Sequence, residues 1–532
     1  MKAKYILAST MVSALFVTGC ADLDTEPMSA YVTSDQKQEV VESDPTKAEA
    51  GVNAVFSQYS VYMSVTGSRH NDFGYPSVML FSDTNGMDYV SQDNGYNWTG
   101  NSLDFSDRVY TSNESAIVWN SMYAMVYAAN NVIGSVEPVD ATTKFYVGQA
   151  LASRAFNYWV LAQLYQFNYA GHKSSLCVPI VTEANASIVP VEGAKRATVE
   201  EVYTQIMNDL NTAVELLTTA KAEGMKRADK RYADLGVALG LRARVNLTME
   251  NWSAAAADAQ AAIEASGATP YSIAQVSVPS FMNSSDAAWM WGIVIAETDR
   301  VVTSGIVNWP SHMGSLNYGY ANFSGGHQIN KALYNSIPAT DVRKGWWLDE
   351  NCESPNLDEE QAWFMKDYCG YAPYTHCKFA PYNNEVYTST NANDIPLMRV
   401  EEMYLIKAEA EAMGGNAAAG KATLESFVQT YRDPAYTCTA ASAQEVQDEV
   451  WHQRRIELWG EGLSWFDIMR LNKDVDRRGG GYPDVTMVLN IPAGSDIMLW
   501  RIPESEIQAN PALEEGDNNP SASKPEPVED IE

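Results

Sequence analysis

Apolar residues recur at helical spacing through residues 443–473. Successive members fall on one face of a helix, and a face that carries three tryptophans must lie against other parts of the protein. The members of this face are Trp451, Leu458, Trp459, Gly462, Trp465, Phe466 and Met469. The spacing predicts one long amphipathic helix over residues 443–473.

Charged residues alternate with the apolar positions of this segment, among them Arg455 and Glu461. Arg454 with Glu457, and Asp467 with Arg470, are three residues apart and can pair across one helical turn. These charges are interpreted either as a catalytic set or as ion pairs at the rim of a core helix. Spacing that permits pairing favours the structural interpretation.

Two other segments have the pattern of a tetratricopeptide hairpin, which is a pair of antiparallel helices with small residues between them. The first is 231–266, and the second is 405–431, interrupted at Gly414. Because stacked helical hairpins form solenoids, we predict a mostly α fold, a tetratricopeptide-like α-solenoid. Its helical-hairpin units are expected around residues 45–268 and 399–473.

Further helices are predicted from the same periodicity at 45–65, 114–135, 144–169 and 199–217. Thr198 is a suitable N-cap for the last of these, and Glu201 completes a capping box.

Two stretches lack helical periodicity. Residues 69–108 are rich in glycine and contain two Asn-Gly pairs, and residues 269–398 form a long insertion. Within the insertion, residues 301–330 carry no Asp, Glu, Lys or Arg but several aromatic rings. Irregular regions of this length are usually functional, so a binding site is expected there.

The chain has 532 residues and a net charge of −31. Nucleic acid is a poor partner for so acidic a protein, because binding it requires a basic face. The six histidines have no metal-ligand spacing, and no catalytic or cofactor motif is recognised. We therefore expect neither an enzyme nor a bound metal or cofactor.

The N-terminus has the pattern of a secretory signal. Lys2 and Lys4 precede a short apolar run, which ends at Val17-Thr18-Gly19-Cys20. This ending resembles a bacterial lipobox, in which the cysteine is acylated, and acyl chains anchor a protein without a spanning helix. We expect a signal peptide at 1–19, lipidation at Cys20, a tether at 20–44, one domain at 45–513 and an acidic flexible tail at 514–532.

Five cysteines remain after Cys20. A disulfide is allowed outside the cytoplasm among Cys352, Cys369 and Cys377, which are close in sequence, while the odd count leaves at least one thiol free. The remaining two are Cys177 and Cys438. A zinc site formed by these residues with His376 lacks the usual spacing and is disfavoured.

Several segments, taken in order, resemble the SusD/RagB family of outer-membrane nutrient-uptake lipoproteins. They are CADLDTEP after the lipobox, SRAFNYWVLAQLYQFNYAG leading into VPIVTE, LMRVEEMYLIKAEAEA, RRIELWGEGLSWFDIMRLNK, and the closing RIPESEIQANPAL. Together they extend from Cys20 to about Leu513. The resemblance implies an α-solenoid with four tetratricopeptide-like units and a less regular half.

The same resemblance implies a partner and a location. Members of the family sit over a TonB-dependent outer-membrane barrel, the SusC-like transporter, and capture glycans or peptides for import. We therefore expect a lipid-anchored protein at the outer membrane, facing the cell exterior. In this family the tryptophan-rich segment 443–473 is scaffold rather than a catalytic site.

A glycan would be bound by aromatic faces and by polar side chains, which match the apolar faces and hydroxyl rims of sugars. Both irregular regions offer this mixture, and the uncharged stretch 301–330 favours a neutral glycan. The candidate ligand-binding residues are Asp72, Tyr75, Tyr96, Trp98, Trp309, Tyr318 and Tyr320. For any single ring, packing between loop and solenoid is the competing interpretation.

Three alternatives remain open: a peptide ligand, a purely adhesive surface protein and, with less support, a glycoside hydrolase. Asp83, Asn85 and Asp88 partly resemble a calcium loop, but the remaining oxygen ligands are not recognisable. An Asn-Gly turn explains that segment better.

Overall fold

The structure is a computed structural model that describes residues 48–91 and 98–531. The signal peptide, Cys20, the tether and Tyr96 lie outside the described residues. Within the described ranges, no helix combines the length and apolar character needed to cross a membrane.

Helices dominate the structure, and most of the longer ones lie in the two parts of the chain where hairpins were predicted. In chain order the α-helices are α1 Ala48–Ser57, α2 Tyr75–Asn85, α3 Gly100–Leu103, α4 Asn113–Ile133, α5 Ala141–Tyr165, α6 Tyr169–His172, α7 Val189–Glu192, α8 Val199–Ala222, α9 Leu235–Thr248, α10 Trp252–Ser266, α11 Ile273–Val276, α12 Arg300–Thr303, α13 Trp309–Met313, α14 Tyr320–Phe323, α15 Lys331–Ser336, α16 Glu359–Trp363, α17 Val400–Met413, α18 Ala417–Tyr431, α19 Ala443–Glu457, α20 Ser464–Arg470 and α21 Glu504–Ala509.

The strands are short and pair antiparallel as two-stranded ribbons, β1 with β5, β2 with β3, β4 with β6 and β7 with β8. They are β1 Tyr89–Val90, β2 Leu176–Pro179, β3 Arg196–Thr198, β4 Trp289–Ile293, β5 Gln328–Ile329, β6 Ile395–Arg399, β7 Val475–Asp476 and β8 Asn490–Ile491. The ribbon of β4 and β6 is wholly buried and leads directly into α17.

The long helices pack in sequence, as a solenoid requires. Helix α4 packs on α5, α5 on α8, α9 on α10 and α17 on α18, while α10 also packs on α17. This confirms the predicted mostly α, tetratricopeptide-like fold. The capping box at the start of α8 is also present, with the Glu201 N–H donating to Thr198 Oγ1 over 3.2 Å.

Close approach within each hairpin depends on small residues. A Cβ on Gly236 would lie 2.9 Å from the backbone of Ser266, and one on Gly420 would lie 2.3 Å from the Ala408 carbonyl oxygen. Side chains at these positions would force the paired helices apart. The alanine-rich pattern of the two hairpins therefore reflects helix spacing.

The single long helix predicted for 443–473 is wrong, because the structure breaks it into α19 and α20. Gly460 and Gly462 have φ values of +75° and +73°, which L-residues rarely adopt. The Gly462 N–H donates to Asp83 Oδ2 over 2.9 Å, and a Cβ at this position would lie 2.6 Å from that of Met79. The segment turns here so that its backbone can pack against α2.

One of the two ion pairs predicted in this segment is present. Arg470 donates to Asp467 over 2.8 Å, as its spacing predicted. Arg454 instead donates to Asp467 over 2.7 Å. Glu457 accepts hydrogen bonds from arginines elsewhere in the chain, among them Arg432. The predicted Arg454–Glu457 pair is therefore wrong.

Glu457 lies in a buried ionic network of four cations and four carboxylates. Its members are Arg343, Lys378, Arg399, Arg432, Asp341, Glu401, Glu457 and Glu461. Arg432 binds Glu457 through two bonds of 2.7 and 2.8 Å, and Arg399 and Arg343 approach the same carboxylate at 3.2 and 3.4 Å. These charges are interior, not at a helix rim, and they join α17 and α19 to the irregular half.

The five cysteines after Cys20 are all free thiols in the described structure, so the allowed disulfide is not formed. Cys177 and Cys377 are buried, and burial raises the pKa of both thiols to about 12. The segment that resembles a calcium loop is the C-terminal end of α2 and the bend that follows it. Asp88 binds Arg455, Asp83 binds Gly462, and Asn85 ends α2. Among the described residues no group of His, Cys, Asp and Glu side chains is arranged to hold a metal ion.

The C-terminal segment, for which a flexible tail is predicted, makes several specific contacts with the rest of the protein. As far as Ile531 it lies along the body of the protein. Asn519 is buried and donates to the Tyr165 and Trp500 carbonyls over 2.8 and 2.7 Å, and the Val528 N–H donates to the Val488 carbonyl over 2.9 Å. These few contacts could not be predicted from the acidic composition of the segment.

Candidate ligand-binding site

A surface cavity of about 410 Å³ lies where the two irregular regions meet. Its lining residues are Ser68, Arg69, His70, Asn71, Trp98, Tyr320 and Phe323. The first five belong to the region before α4, and the last two belong to α14 in the insertion. Aromatic rings and polar side chains are thus combined in one concave site, as expected for a small-molecule or oligosaccharide site.

The polar wall of the cavity is held in place by Asp72. Its Oδ2 accepts hydrogen bonds from the Val65 and Thr66 backbone N–H groups over 3.0 and 2.7 Å, and from Thr66 Oγ1 over 3.0 Å. Next to it, Asn71 donates through Nδ2 to the Trp98 carbonyl over 3.1 Å. These bonds fix the loop that carries Ser68, Arg69 and His70.

The aromatic wall is formed by Trp98 and Tyr320. Their ring centroids are 3.5 Å apart with an interplanar angle of 39°. The Tyr320 hydroxyl is hydrogen bonded to His70 Nδ1, and the His70 and Tyr320 rings are stacked with centroids 5.5 Å apart. The site therefore brings together residues that are 250 positions apart in the chain.

Arg69, the one cation among the described residues of the lining, is paired. Arg69 Nη2 lies 3.5 Å from Glu114 Oε1, and Glu114 also accepts hydrogen bonds from Asn71 and Asn101 over 3.3 and 3.0 Å. Because Glu114 is buried behind the wall, the described lining contains no carboxylate. The described part of the lining consequently has a nearly balanced charge within a strongly acidic protein.

Two buried histidines form the base beneath this wall. His312 is hydrogen bonded through Nε2 to the His70 carbonyl over 3.1 Å, and His327 through Nε2 to the His312 carbonyl over 2.6 Å. Burial lowers the pKa of His312 to about 3 and that of His327 to about 4. Both side chains are therefore neutral near pH 7 and act as hydrogen-bonded packing groups.

The lowered pKa of His327 predicts a loss of stability in acid. In the unfolded chain histidine titrates near about pH 6.5, so between that pH and about 4 only the unfolded state binds the proton, and the free energy of unfolding falls. We expect His327→Gln to flatten this dependence by about 1.4 kcal/mol per pH unit over that interval. Urea unfolding at a series of pH values measures the slope. An unchanged slope would show that folded His327 is protonated like a free histidine.

Two of the predicted ligand-binding residues, Trp98 and Tyr320, lie together in the cavity. Tyr318 is adjacent, with its ring 6.0 Å from that of Phe323, and is partly exposed. Sequence patterns did not indicate Arg69, His70 or Phe323 as lining residues. A short polar loop and one phenylalanine carry no motif that would have identified them.

Three predicted residues do not fit a ligand contact, because the structure places them in the interior. Asp72 is fully buried and its contacts hold the loop. Tyr75 is 3% exposed and its ring packs 5.1 Å from Phe156, and Trp309 is 1% exposed and packs 5.1 Å from Phe379. Tyr75 thus packs against helix α5 of the solenoid, and Trp309 packs against another residue of the insertion.

Comparison with known proteins agrees with this fold. Residues 36–246 match a family of SusD-like proteins described as starch-binding and associating with the outer membrane, and residues 340–520 match the SusD family itself. The two matches together cover most of the chain, including the cavity wall before α4 and the whole segment of α19 and α20. The chain belongs to the SusD/RagB family, whose members are generally carbohydrate-binding, non-catalytic outer-membrane proteins.

Individual relatives are distant in sequence but similar in structure. The SusD-like protein P38 of Formosa agariphila is 21% identical over 409 residues, which are 69% of this chain and 74% of the relative. A SusD-like carbohydrate binding protein from Bacteroides vulgatus has a TM-score of 0.71 at 24% identity, covering 90% of this chain and 98% of that one. A SusD superfamily protein from Bacteroides thetaiotaomicron has a TM-score of 0.67 at 18% identity, covering 90% and 99%. At these identities the structural likeness supports the fold alone.

Proposed function

We propose that this protein is a cell-surface lipoprotein that captures a neutral glycan and delivers it to a SusC-like TonB-dependent transporter in the outer membrane. The observation that carries this proposal is the cavity in which Trp98 and Tyr320 face polar side chains. Aromatic faces match the apolar faces of sugar rings, and the nearby Ser68 and His70 side chains match hydroxyls. The family's description as starch-binding supports the same ligand class.

The anchor and the partner belong to the same proposal. Acylation at Cys20 would hold the protein at the membrane without a spanning helix. A binding protein anchored in the same membrane as the transporter can hold the glycan close to the transporter's entrance. The transporter then releases the glycan on the other side of the membrane. Release of a Cys20→Ser variant from the membrane fraction, and recovery of a TonB-dependent barrel with the intact protein, would support these two elements.

The neutral character of the ligand follows from the charge in the cavity. Arg69 is already paired with Glu114, so it offers no isolated cation to a uronic or sulfated sugar. The described lining also contains no carboxylate that would attract a cationic ligand. We accordingly rank neutral polysaccharides above charged ones.

The test is Trp98→Ala, assayed by affinity electrophoresis in gels containing soluble starch, a β-glucan, a xylan or a galactomannan. Removing the partly exposed ring should leave the solenoid folded and weaken retention by the bound polymer about tenfold, equivalent to about 1.4 kcal/mol. Tyr127→Ala is the matched control, because Tyr127 is an aromatic side chain that is 42% exposed and lies on α4 outside the cavity lining.

The wild-type protein and both variants should have the same thermal midpoint to within a few degrees. If none of the polymers retards the wild-type protein while a peptide library does, the ligand is a peptide. Release of soluble sugars from a polymer would show an enzyme instead. Equal retention of Trp98→Ala and wild type would place the binding site elsewhere.

A further inference from the structure

Glu114 lies behind the polar wall of the cavity and contacts the groups that form this wall. We infer that its buried carboxylate sets the charge selectivity of the site, because it neutralises Arg69 and thereby disfavours uronic or sulfated polymers. This inference rests on the proposed glycan-binding function. It assigns a role to a residue outside the lining, so Glu114 is a positioning residue that acts through its neighbours.

The fold places Glu114 close to the cavity but out of reach of a ligand. Glu114 is the second residue of α4, and its side chain is only 1% exposed. The N-terminus of a helix carries a partial positive charge, which favours a carboxylate at this position. A bound ligand therefore meets the partners of Glu114 and feels its charge, although it does not contact its atoms.

Three side chains converge on the Glu114 carboxylate, and all three are donors. Arg69 Nη2 lies 3.5 Å from Oε1, Asn71 Nδ2 donates to Oε1 over 3.3 Å, and Asn101 Nδ2 donates to Oε2 over 3.0 Å. An ionised carboxylate only accepts hydrogen bonds and matches this set, whereas the NH₂ group of a glutamine would face another donor. The surroundings of residue 114 thus favour a charged side chain.

Asn71 extends the influence of Glu114 to the aromatic wall. Its Nδ2 donates to Glu114 and also to the Trp98 carbonyl over 3.1 Å. Because both partners are acceptors, the Asn71 amide group can take only one of its two flipped orientations. Glu114 consequently helps to position the Trp98 backbone as well as the Arg69 side chain.

The ion pair of Arg69 and Glu114 is asymmetric with respect to the cavity. The Arg69 side chain is 33% exposed and lines the cavity, while its carboxylate partner is buried behind it. The neighbouring Asp72 accepts backbone N–H groups, and Asp107 pairs with Arg108, so among the described residues Glu114 is the carboxylate that pairs with Arg69. Without Glu114, the Arg69 guanidinium would be available to a carboxylate or sulfate, the groups that arginine binds most strongly.

The experiment compares two forms of one polymer in the full-length protein. The neutral form is whichever of soluble starch, β-glucan, xylan and galactomannan retains the wild type, and the anionic form is the same polymer lightly carboxymethylated. We expect Glu114→Gln to raise the ratio of anionic to neutral affinity about tenfold, equivalent to about 1.4 kcal/mol, because one negative charge beside the ligand is removed. The rise should shrink in about 1 M salt, where the Debye length is only about 3 Å.

Three companion variants separate the charge of Glu114 from its structural contacts. Glu200→Gln is the matched control, because Glu200 is the second residue of α8, is exposed and lies outside the lining. This control should leave the ratio unchanged. Glu114→Asp keeps the charge and should keep the wild-type ratio even where both affinities fall. Arg69→Gln removes the cation but not Glu114, so it should lower the ratio.

The outcomes distinguish this inference from the proposed function. An equal rise for Glu114→Gln and Glu200→Gln would mean that the ratio follows the net charge of the protein, and the inference would fail while neutral binding stands. A fall in both affinities at an unchanged ratio would reduce Glu114 to a structural support and overturn the inference as well. If Glu114→Gln does not fold, Arg69→Gln decides, because an unchanged ratio would show that this ion pair does not act on the ligand. If no neutral polymer retains the wild type, the proposed function falls and the inference with it.

Discussion

Glu457→Ala is expected to lower the free energy of unfolding by at least about 3–5 kcal/mol, the range for breaking a buried ion pair from one side. The substitution removes the carboxylate to which Arg343, Arg399 and Arg432 bind. Their guanidinium groups remain buried in a site from which water is excluded. Four cations would then share three carboxylates. An unpaired buried charge costs more than the pair itself contributes, because its solvation is not recovered.

The same network predicts a dependence on pH. Burial alone would raise the pKa of Glu457, but Arg432, Arg399 and Arg343 outweigh it and hold the pKa well below the ordinary glutamate range. The stabilisation is therefore fully present above the unfolded pKa of about 4.3 and is lost as the pH falls towards the folded value. Glu457→Ala should consequently differ most from wild type near neutral pH.

The matched control is Asp448→Ala, on the same helix. Asp448 pairs with Lys473 over 2.9 Å, but its side chain is 48% exposed, so this pair should contribute less than about 1 kcal/mol. Urea unfolding followed by tryptophan fluorescence gives both free energies. Equal losses in the two variants would mean that water reaches the interior network.

Glu457 shows what could and what could not be predicted from the sequence. Helical spacing placed Glu457 on α19 and suggested a partner one turn away. Its actual partners, Arg343, Arg399 and Arg432, come from 25 to 114 residues away. Local spacing contains no information about charges brought together by tertiary packing, so the strongest interactions of the segment were not predicted.

The helical half was predictable because its signals are local. Periodicity predicted the two hairpins, and the Thr198 capping box gave the start of α8 correctly. The break between α19 and α20 was missed, although Gly460 and Gly462 were visible in the sequence. Glycine lowers helix propensity by only about 1 kcal/mol relative to alanine, so it does not by itself end a helix. The close approach of Met79 ends it here.

The ligand site was predictable only in part, for a related reason. Aromatic residues in the two irregular regions indicated both Trp98 and Tyr320, and the structure brings these two together. The same criterion selected Trp309, which fills the core beside Phe379. It gave no weight to Trp363 or Tyr368, which are exposed. The amino-acid composition of a loop shows that it contains aromatic rings, but it does not show which rings are buried and which are exposed to solvent.

Trp465→Ala is the second large effect, with an expected loss of about 3–5 kcal/mol in the free energy of unfolding, typical of a buried tryptophan truncated to alanine. Trp465 is fully buried on α20, where its ring lies 6.2 Å from that of Phe105. It also contacts the buried guanidinium of Arg108, which lies 5.3 Å from the ring centroid. The substitution removes packing and one of the rings that surround this cation.

The contact between Trp465 and Arg108 allows the loss of packing to be distinguished from the loss of an aromatic face beside the cation. Burial lowers the pKa of Arg108, although Asp107 at 2.9 Å opposes that shift, and the Trp500 ring lies 4.2 Å from the guanidinium. Trp465→Phe should recover much of the loss because it restores an aromatic face, whereas Trp465→Leu should recover less at a similar apolar area. Equal recovery by the Phe and Leu variants would mean that the loss of stability comes only from the space left by the tryptophan ring, and not from the lost contact with Arg108.

Trp451→Ala provides the comparison within the same tryptophan-rich segment. Its ring is only partly buried and contacts the flexible side chains of Arg455 and Lys473, so its loss should cost less than that of Trp465. Neither substitution should change polymer affinity in the folded state, since both rings lie outside the cavity lining. A folded Trp465→Ala protein with reduced affinity would instead show that α20 transmits its position to the ligand site through α2, against which it packs.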